Sequence, residues 1–175
     1  MNPFLNEQID ISQLPDIGVV SYQKLELKHR TISVLTTILL ITGILIVYVA
    51  VGNFQEELFQ APYLYIFISL WVLLSGFFIL VAYKSYAVEG YALRSHDIIF
   101  KSGWLFRSVI VIPFNRVQHC EVNQGPLDRL MGLSGLSVFT AGGSGSDLTI
   151  RGLKPETANS LKDFIIGKTV RDEEE

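Results

Sequence analysis

Two apolar runs without a single charged residue, Thr31–Gly52 and Ala61–Tyr83, stand only eight residues apart. A helix rises about 1.5 Å per residue and the hydrocarbon layer of a bilayer is roughly 30 Å thick, so about 20 apolar residues suffice to cross it. Both runs meet that length. The connector Asn53–Gln60 is too short to hold a domain, so the two spans must form an antiparallel hairpin with everything else on one side of the membrane. Neither run shows a polar face at a helical period, which argues against two core helices of a soluble fold. Thirty mostly polar residues precede the first run, and no small-residue cleavage pattern follows it, so a cleaved signal peptide is not expected.

Charge sets the orientation. Lys24, Lys28 and Arg30 precede the first run and Lys84 follows the second, while the connector carries Glu56 and Glu57 and no basic residue. The bias of basic residues toward the cytoplasm predicts a multi-pass membrane protein with both termini inside. Tyr48, Phe54, Phe59, Tyr63, Tyr83 and Tyr86 fall near the ends of the runs, as interfacial belts require, whereas Tyr65 and Trp71 lie deeper and pack between helices or face lipid.

Beyond the hairpin the sequence reads as one small globular domain. Residues 84–170 hold ten basic against seven acidic residues, a net +3, and residues 171–175 give back −3. A weakly basic domain beside an anionic leaflet gains about 1 kcal/mol per nearby cation. The organisation expected is an N-terminal cytoplasmic segment (1–30), the hairpin (31–83), a folded domain (84–168) and an acidic tail (169–175). Residues 1–18 read as irregular, and Val19–Arg30 as a helical lead-in to the first span. Cys120 is the single cysteine, so no intramolecular disulfide is possible.

After Lys84 the period becomes strand-like. Strands are expected at Tyr86–Arg94, Ile98–Phe100, Ser108–Ile112, Val117–Val122, Leu136–Thr140 and Leu148–Arg151, with Pro113 at a strand end because it cannot donate to a ladder. Ser102-Gly103 marks a turn and Gly142–Gly145 a loop. Pro126 opens a short helix, Leu127–Met131, closed by Gly132. Pro155 opens a second one, with Ala158, Leu161, Phe164 and Ile165 on one face and Gly167 as its stop. Six strands and one amphipathic helix predict a small all-β barrel or orthogonal sandwich capped by the C-terminal helix, attached to the membrane hairpin.

These residues carry a resemblance. The segment Arg107, Ile112-Pro113, Arg116-Val117-Gln118-His119 and Val122-Asn123-Gln124-Gly125-Pro126-Leu127-Asp128-Arg129-Leu130-Met131-Gly132-Leu133, closing on Thr140-Ala141-Gly142-Gly143, resembles the bacterial pleckstrin-homology-like (PH-like) domain of YdbS-like membrane proteins. The likeness extends from about residue 20 to 168, and includes the order of a two-span hairpin followed by the domain. It implies a seven-stranded pleckstrin-type barrel capped by the C-terminal helix, and no agreed reaction. It also implies association with larger membrane proteins built from related PH-like units, or with further copies of the chain.

The same motif has a physical reading of its own. Arg116 and Arg129 flank a strand-turn-helix, where guanidinium forks could clamp carbonyls at the ends of these elements or hold a partner's carboxylate. Gln118 and Gln124 share a face if the strand is regular, tying a bent strand to its neighbours or lining a polar groove. His119 alternates to the opposite face. Lys101, Trp104 and Arg107 cluster around the expected turn at Gly103, where Trp104 either fills the core or touches the leaflet.

Catalysis finds little support. Gly132-Leu133-Ser134-Gly135 and Gly143-Ser144-Gly145 lack the frame of a nucleophile elbow, there is no phosphate-binding loop, and no pair of carboxylates stands at a suggestive spacing. The spans contain no ionisable group of the kind that marks an ion path. His29, His96 and His119 are far apart in sequence, so neither a metal nor a cofactor is expected, nor is a nucleic-acid partner. Two binding roles remain: a non-catalytic scaffold that holds a membrane protein partner at the cytoplasmic face, and a sensor of anionic lipid headgroups at the inner leaflet. Lys101, Trp104, Arg107, Arg116, Gln118 and Arg129 are the candidate contacts. No G-x-x-x-G motif occurs in the spans, which leaves the oligomeric state open.

Overall fold

A computed structural model describes residues 20–141 and 145–172. The N-terminal segment expected to be irregular, most of the expected Gly142–Gly145 loop and the acidic end of the tail lie outside the described residues. Helix α1 spans Leu27–Gly52 and α2 spans Ala61–Val88, joined through a single 3-10 turn at Glu56–Phe59. At 26 and 28 residues they reach roughly 39 and 42 Å. Both are therefore long and apolar enough to cross a membrane. Trp71 turns inward, its indole N–H donating to the Ile41 carbonyl of α1 at 3.3 Å, while Tyr65 faces outward. Near the basic end, the Arg30 guanidinium lies 4.7 Å from the Tyr83 ring centroid, pairing a cation with an interfacial aromatic.

The domain is two three-stranded antiparallel sheets and a capping helix. Strands β1 (Gly90–Leu93), β2 (Asp97–Ser102) and β3 (Ser108–Pro113) form the first sheet in that order. Strands β4 (Val117–Asn123), β5 (Ser134–Thr140) and β6 (Leu148–Leu153) form the second. Helix α3 (Pro126–Met131) links β4 to β5, and α4 (Pro155–Asp172) follows β6. The residues that alternate inward, Ile98, Phe100 and Ile112 from one sheet and Leu136, Val138, Leu148 and Ile150 from the other, meet Ala158, Leu161 and Ile165 of α4 in one core. Burial of this apolar surface holds the sheets together, at about 25 cal/mol per Å² removed from water.

Three expectations need correction. Tyr86–Val88 is the end of α2 rather than part of a strand, because the tyrosine hydroxyl at position 86 donates to the Leu25 carbonyl at 2.9 Å and fixes a helical turn against the chain entering α1. Helix α4 runs through Gly167 to Asp172, and Thr169, beyond the glycine, keeps it on the barrel by donating to the Phe114 carbonyl. Residues 20–26 are not helical: they lie extended beside β1, where Gln23 forms an antiparallel bridge to Tyr91.

The described residues form six strands rather than the seven that the resemblance implies, and the Gln23–Tyr91 bridge adds a single isolated pairing at the open edge of β1. Leu25, in the same segment, is 4% exposed and belongs to the barrel core. The membrane hairpin is thus inserted between the first edge element of the sheet and β1. Its base is fastened to the domain at several points: His29 Nε2 lies 3.4 Å from Glu89 Oε2, Lys24 donates to the Ala87 carbonyl at 2.6 Å, and the Glu26 N–H donates to the Gly152 carbonyl at 2.9 Å.

Candidate binding surfaces

Register divides the domain into a membrane end and a far end. Strand β1 leaves α2 at Gly90, and Gly90 stands opposite Lys101, so β2 runs toward the membrane and the turn after it, residues 103–107, lies beside the base of α2. Asp97 and Pro113 form the opposite end of the β2–β3 ladder, about 17 Å away at 3.3–3.4 Å per residue.

The membrane-end turn collects three of the six candidates. Gly103 has φ +83°, and a Cβ there would overlap the Phe106 carbonyl, so the turn requires glycine. Lys101 places its ammonium 5.6 Å from the Tyr22 ring centroid. Arg107 has no side-chain partner among the described residues. Trp104 is 36% exposed, so it does not fill the core. Its neighbours Leu105 and Phe106 are more exposed still, Phe106 at 85%. Those two were missed in the sequence, although an apolar triplet between a turn glycine and an arginine is a legible sign of an exposed loop tip.

Arg129 stands elsewhere. Gln124 donates to the Leu133 carbonyl at 2.8 Å, Asp128 accepts from the Gly125 N–H at 3.2 Å, and Gly132 ends α3 with φ +69°. These bonds make Gln124-Gly125-Pro126 and Gly132 a backbone frame for one and a half helical turns. Lys28, at the start of α1, donates to the Met131 carbonyl at 3.1 Å and holds α3 against the membrane helix. Arg129 and Leu130 project from α3, Leu130 at 81% exposure. Among the described residues Arg129 has no side-chain hydrogen bond or ion pair, so it clamps no carbonyl.

Arg116 and Gln118 meet at the far end. Pro113 closes β3, a 3-10 turn at Phe114–Arg116 carries the chain to the second sheet, and the fully buried Phe114 anchors that turn. Thr169 of α4 donates to the Phe114 carbonyl at 3.2 Å. The ladder between β4 and β5 pairs Val117 with Thr140 and then His119 with Phe139, so Gln118 has no opposite residue. Such a bulge bends the strand and re-aims a side chain. It also takes Gln118 out of any common face with Gln124, which lies beyond the strand. The result is a cleft of about 560 Å³ bordered by Asn115, Arg116, Gln118, Ala141, Ile166 and Thr169. Its guanidinium is unpaired among the described residues, and two amides stand beside it.

The neighbouring ionisable groups are structural. His119 stacks on Phe139 with ring centroids 4.2 Å apart, and its Nε2 lies 3.6 Å from Glu121. Burial pushes the Cys120 thiol up to about 11, against a smaller opposing effect of the Lys162 charge. Asp147 is held below the usual carboxylate range because the Thr140 hydroxyl and backbone N–H both donate to it, at 2.6 and 2.8 Å. No cluster of metal-ligating side chains occurs among the described residues.

Known proteins agree with this architecture. A family model described as a bacterial PH domain matches residues 33–169, covering most of α1, all of α2 and the six strands of the domain. A transmembrane protein, YdbS, of Bacillus subtilis (strain 168) is 33% identical over 75 residues, which are 43% of this chain and 45% of that relative. The match thus spans less than half the length of the relative. No solved structure matches. The chain belongs to the bacterial PH domain family, as a YdbS-like membrane protein.

Proposed function

We propose that this protein is a non-catalytic module that presents its PH-like barrel at the cytoplasmic face of the membrane and assembles there with a membrane protein partner. The orientation rests on Lys24, Lys28, Arg30 and Lys84, all on the barrel side of the hairpin. The observation that carries the reading is the far-end cleft, where the Arg116 guanidinium is unpaired among the described residues, about 17 Å from the membrane end. A guanidinium fork flanked by amides suits a carboxylate donated in bidentate geometry. Beside it, the outer edge of β3 has no strand partner among the described residues, and Val109 and Val111 are exposed along it. An extended segment of a partner could add to this edge and deliver its acidic group to Arg116. A related PH-like protein or a second copy of the chain would suit this geometry. Mild detergent extraction followed by affinity purification tests it: a partner or second copy recovered with the natural chain and lost with Arg116→Glu supports the reading, and a monomer, or capture indifferent to Arg116→Glu, opposes it.

A second reading is favoured by the membrane-end turn. Trp104, Leu105 and Phe106, between Lys101 and Arg107, have the composition of a loop that dips into an anionic leaflet. In this reading the barrel senses headgroups while its opposite end remains free for a partner.

A further inference from the structure

A cavity of about 320 Å³ with both polar and apolar walls lies where α1 emerges from the domain, between its first turns and the start of α3. From α1 it is bordered by His29, Ser33, Thr36 and Thr37, and from the domain by Asp128 and Arg151. Ile32, Pro126 and Leu127 supply apolar wall. Ser33 to Thr37 lie about 3–9 Å beyond the start of the apolar run, at the end of the span that adjoins the domain.

The chemistry of the wall is two-signed. Arg151 is exposed and, among the described residues, makes no ion pair, although the Asp128 carboxylate borders the same cavity. Asp128 accepts only one backbone N–H, from Gly125 through Oδ2. The three hydroxyls of α1 donate to carbonyls within the helix: Ser33 to His29 at 3.1 Å, Thr36 to Ile32 at 2.9 Å and Thr37 to Ser33 at 2.8 Å. Their oxygens therefore offer lone pairs, and no free proton, to anything in the cavity. His29, which is 9% exposed, has a buried Nδ1 with no hydrogen-bond partner. An anion alone would meet Asp128 and a row of acceptors, and a cation alone would meet Arg151.

We propose that this cavity binds the headgroup of a phosphoethanolamine lipid, the phosphate on Arg151 and the ammonium among Asp128 and the hydroxyl oxygens of Ser33, Thr36 and Thr37. A primary ammonium supplies the three N–H donors that this acceptor-rich wall lacks. A quaternary ammonium has none, and a glycerol headgroup has no positive charge to set against Asp128. The apolar wall and the continuing face of α1 receive the first acyl carbons. This site is separate from the Arg116 cleft, so either can fail without the other.

The test is native mass spectrometry of the full-length protein released from vesicles holding equal amounts of phosphatidylethanolamine, phosphatidylcholine and phosphatidylglycerol. The expected result is a single phosphatidylethanolamine adduct at least fivefold more abundant than either competitor, reduced at least fivefold in both Arg151→Gln and Asp128→Asn. Asparagine can still accept from the Gly125 N–H, which keeps α3 formed. Thr36→Val with Thr37→Val, tolerated by a membrane helix, gives the same loss without touching the domain. Equal retention of the three lipids, a preference for phosphatidylglycerol, no adduct, or an adduct that survives these substitutions would overturn the proposal. Soluble glycerophosphoethanolamine should form no comparable adduct; if it binds as well as the lipid, the assignment to a membrane lipid is wrong.

Discussion

Gln23 and Tyr91 exchange both backbone hydrogen bonds, Gln23 N–H to the Tyr91 carbonyl at 2.7 Å and Tyr91 N–H to the Gln23 carbonyl at 3.0 Å, although the whole membrane hairpin lies between them in the chain. Residues that precede the membrane spans therefore link the β1 edge of one sheet, through Gln23, to the end of β6 in the other, through the Glu26 N–H and the Gly152 carbonyl. The same few residues enter α1 and pair with β1, so the membrane helix and the sheet edge are joined through them.

Leu25 extends this pairing into the core. It is 4% exposed among residues of both sheets, so Leu25→Ala removes packed methyl groups and should cost about 2–4 kcal/mol of barrel stability. Denaturant unfolding of the full chain in detergent measures the loss. A change below about 0.5 kcal/mol would show that the entering segment does not belong to the barrel. For the same reason a soluble fragment begun at residue 85 should be less stable than the domain in the intact chain.

Gly152 is the second point of attachment. Its φ is +74°, and a Cβ would overlap the ring of His29. Gly152→Ala combines a left-handed alanine with overpacking, for a cost of about 2–4 kcal/mol. His29→Ala in the same chain should recover the overpacking part, and a double-mutant cycle reads that recovery as a coupling between the two sites.

Cys120 reports on the interior of the second sheet. Burial raises its thiol from 9.0 to about 11, so the native state retains the proton that the unfolded chain gives up. Its contribution to stability is complete below pH 9 and is lost as the pH rises toward 11. Thiol labelling at pH 8 should be slow in the folded protein and fast after denaturation. Labelling at the rate of a free thiol in native conditions would contradict this burial.

Trp104 tests the lipid reading. In a Trp71→Phe background it is the single tryptophan of the chain, and its fluorescence in anionic vesicles should be quenched by shallow spin labels on the lipid. Phe106→Ser should weaken the quenching by withdrawing the most exposed apolar residue of the turn. Quenching no stronger than that of a water-exposed indole would mean that the turn stands clear of the leaflet.

Much of this was legible in the sequence because it rests on local periodicity. Uncharged runs of more than twenty residues specify the hairpin, and the strand at Ser108–Ile112 and the helix opened by Pro126 follow from β-branched and turn residues. The pairing of residues 20–26 was not legible, since Val20, Tyr22, Leu25 and Leu27 among charges form neither a strand nor a helix pattern until β1 supplies an edge. The start of the first strand was obscured because Tyr86–Val88 has strand-like composition while the membrane helix continues through it. At the candidate sites the residue types were legible and their grouping was not. Arg116 and Arg129, thirteen positions apart, look like one motif, and the bulge at Gln118 together with the attachment of α3 to Lys28 sends them to opposite ends of the barrel.

The central claim, that the far-end cleft holds a membrane protein partner, is tested most directly by a photo-crosslinking amino acid placed at Gln118 and irradiated in native membranes. The account predicts one discrete adduct with a membrane protein or a second copy of the chain, abolished by Arg116→Glu and absent when the crosslinker is placed at Arg94 on the other sheet. No adduct at position 118, or the same adduct regardless of Arg116, would contradict it.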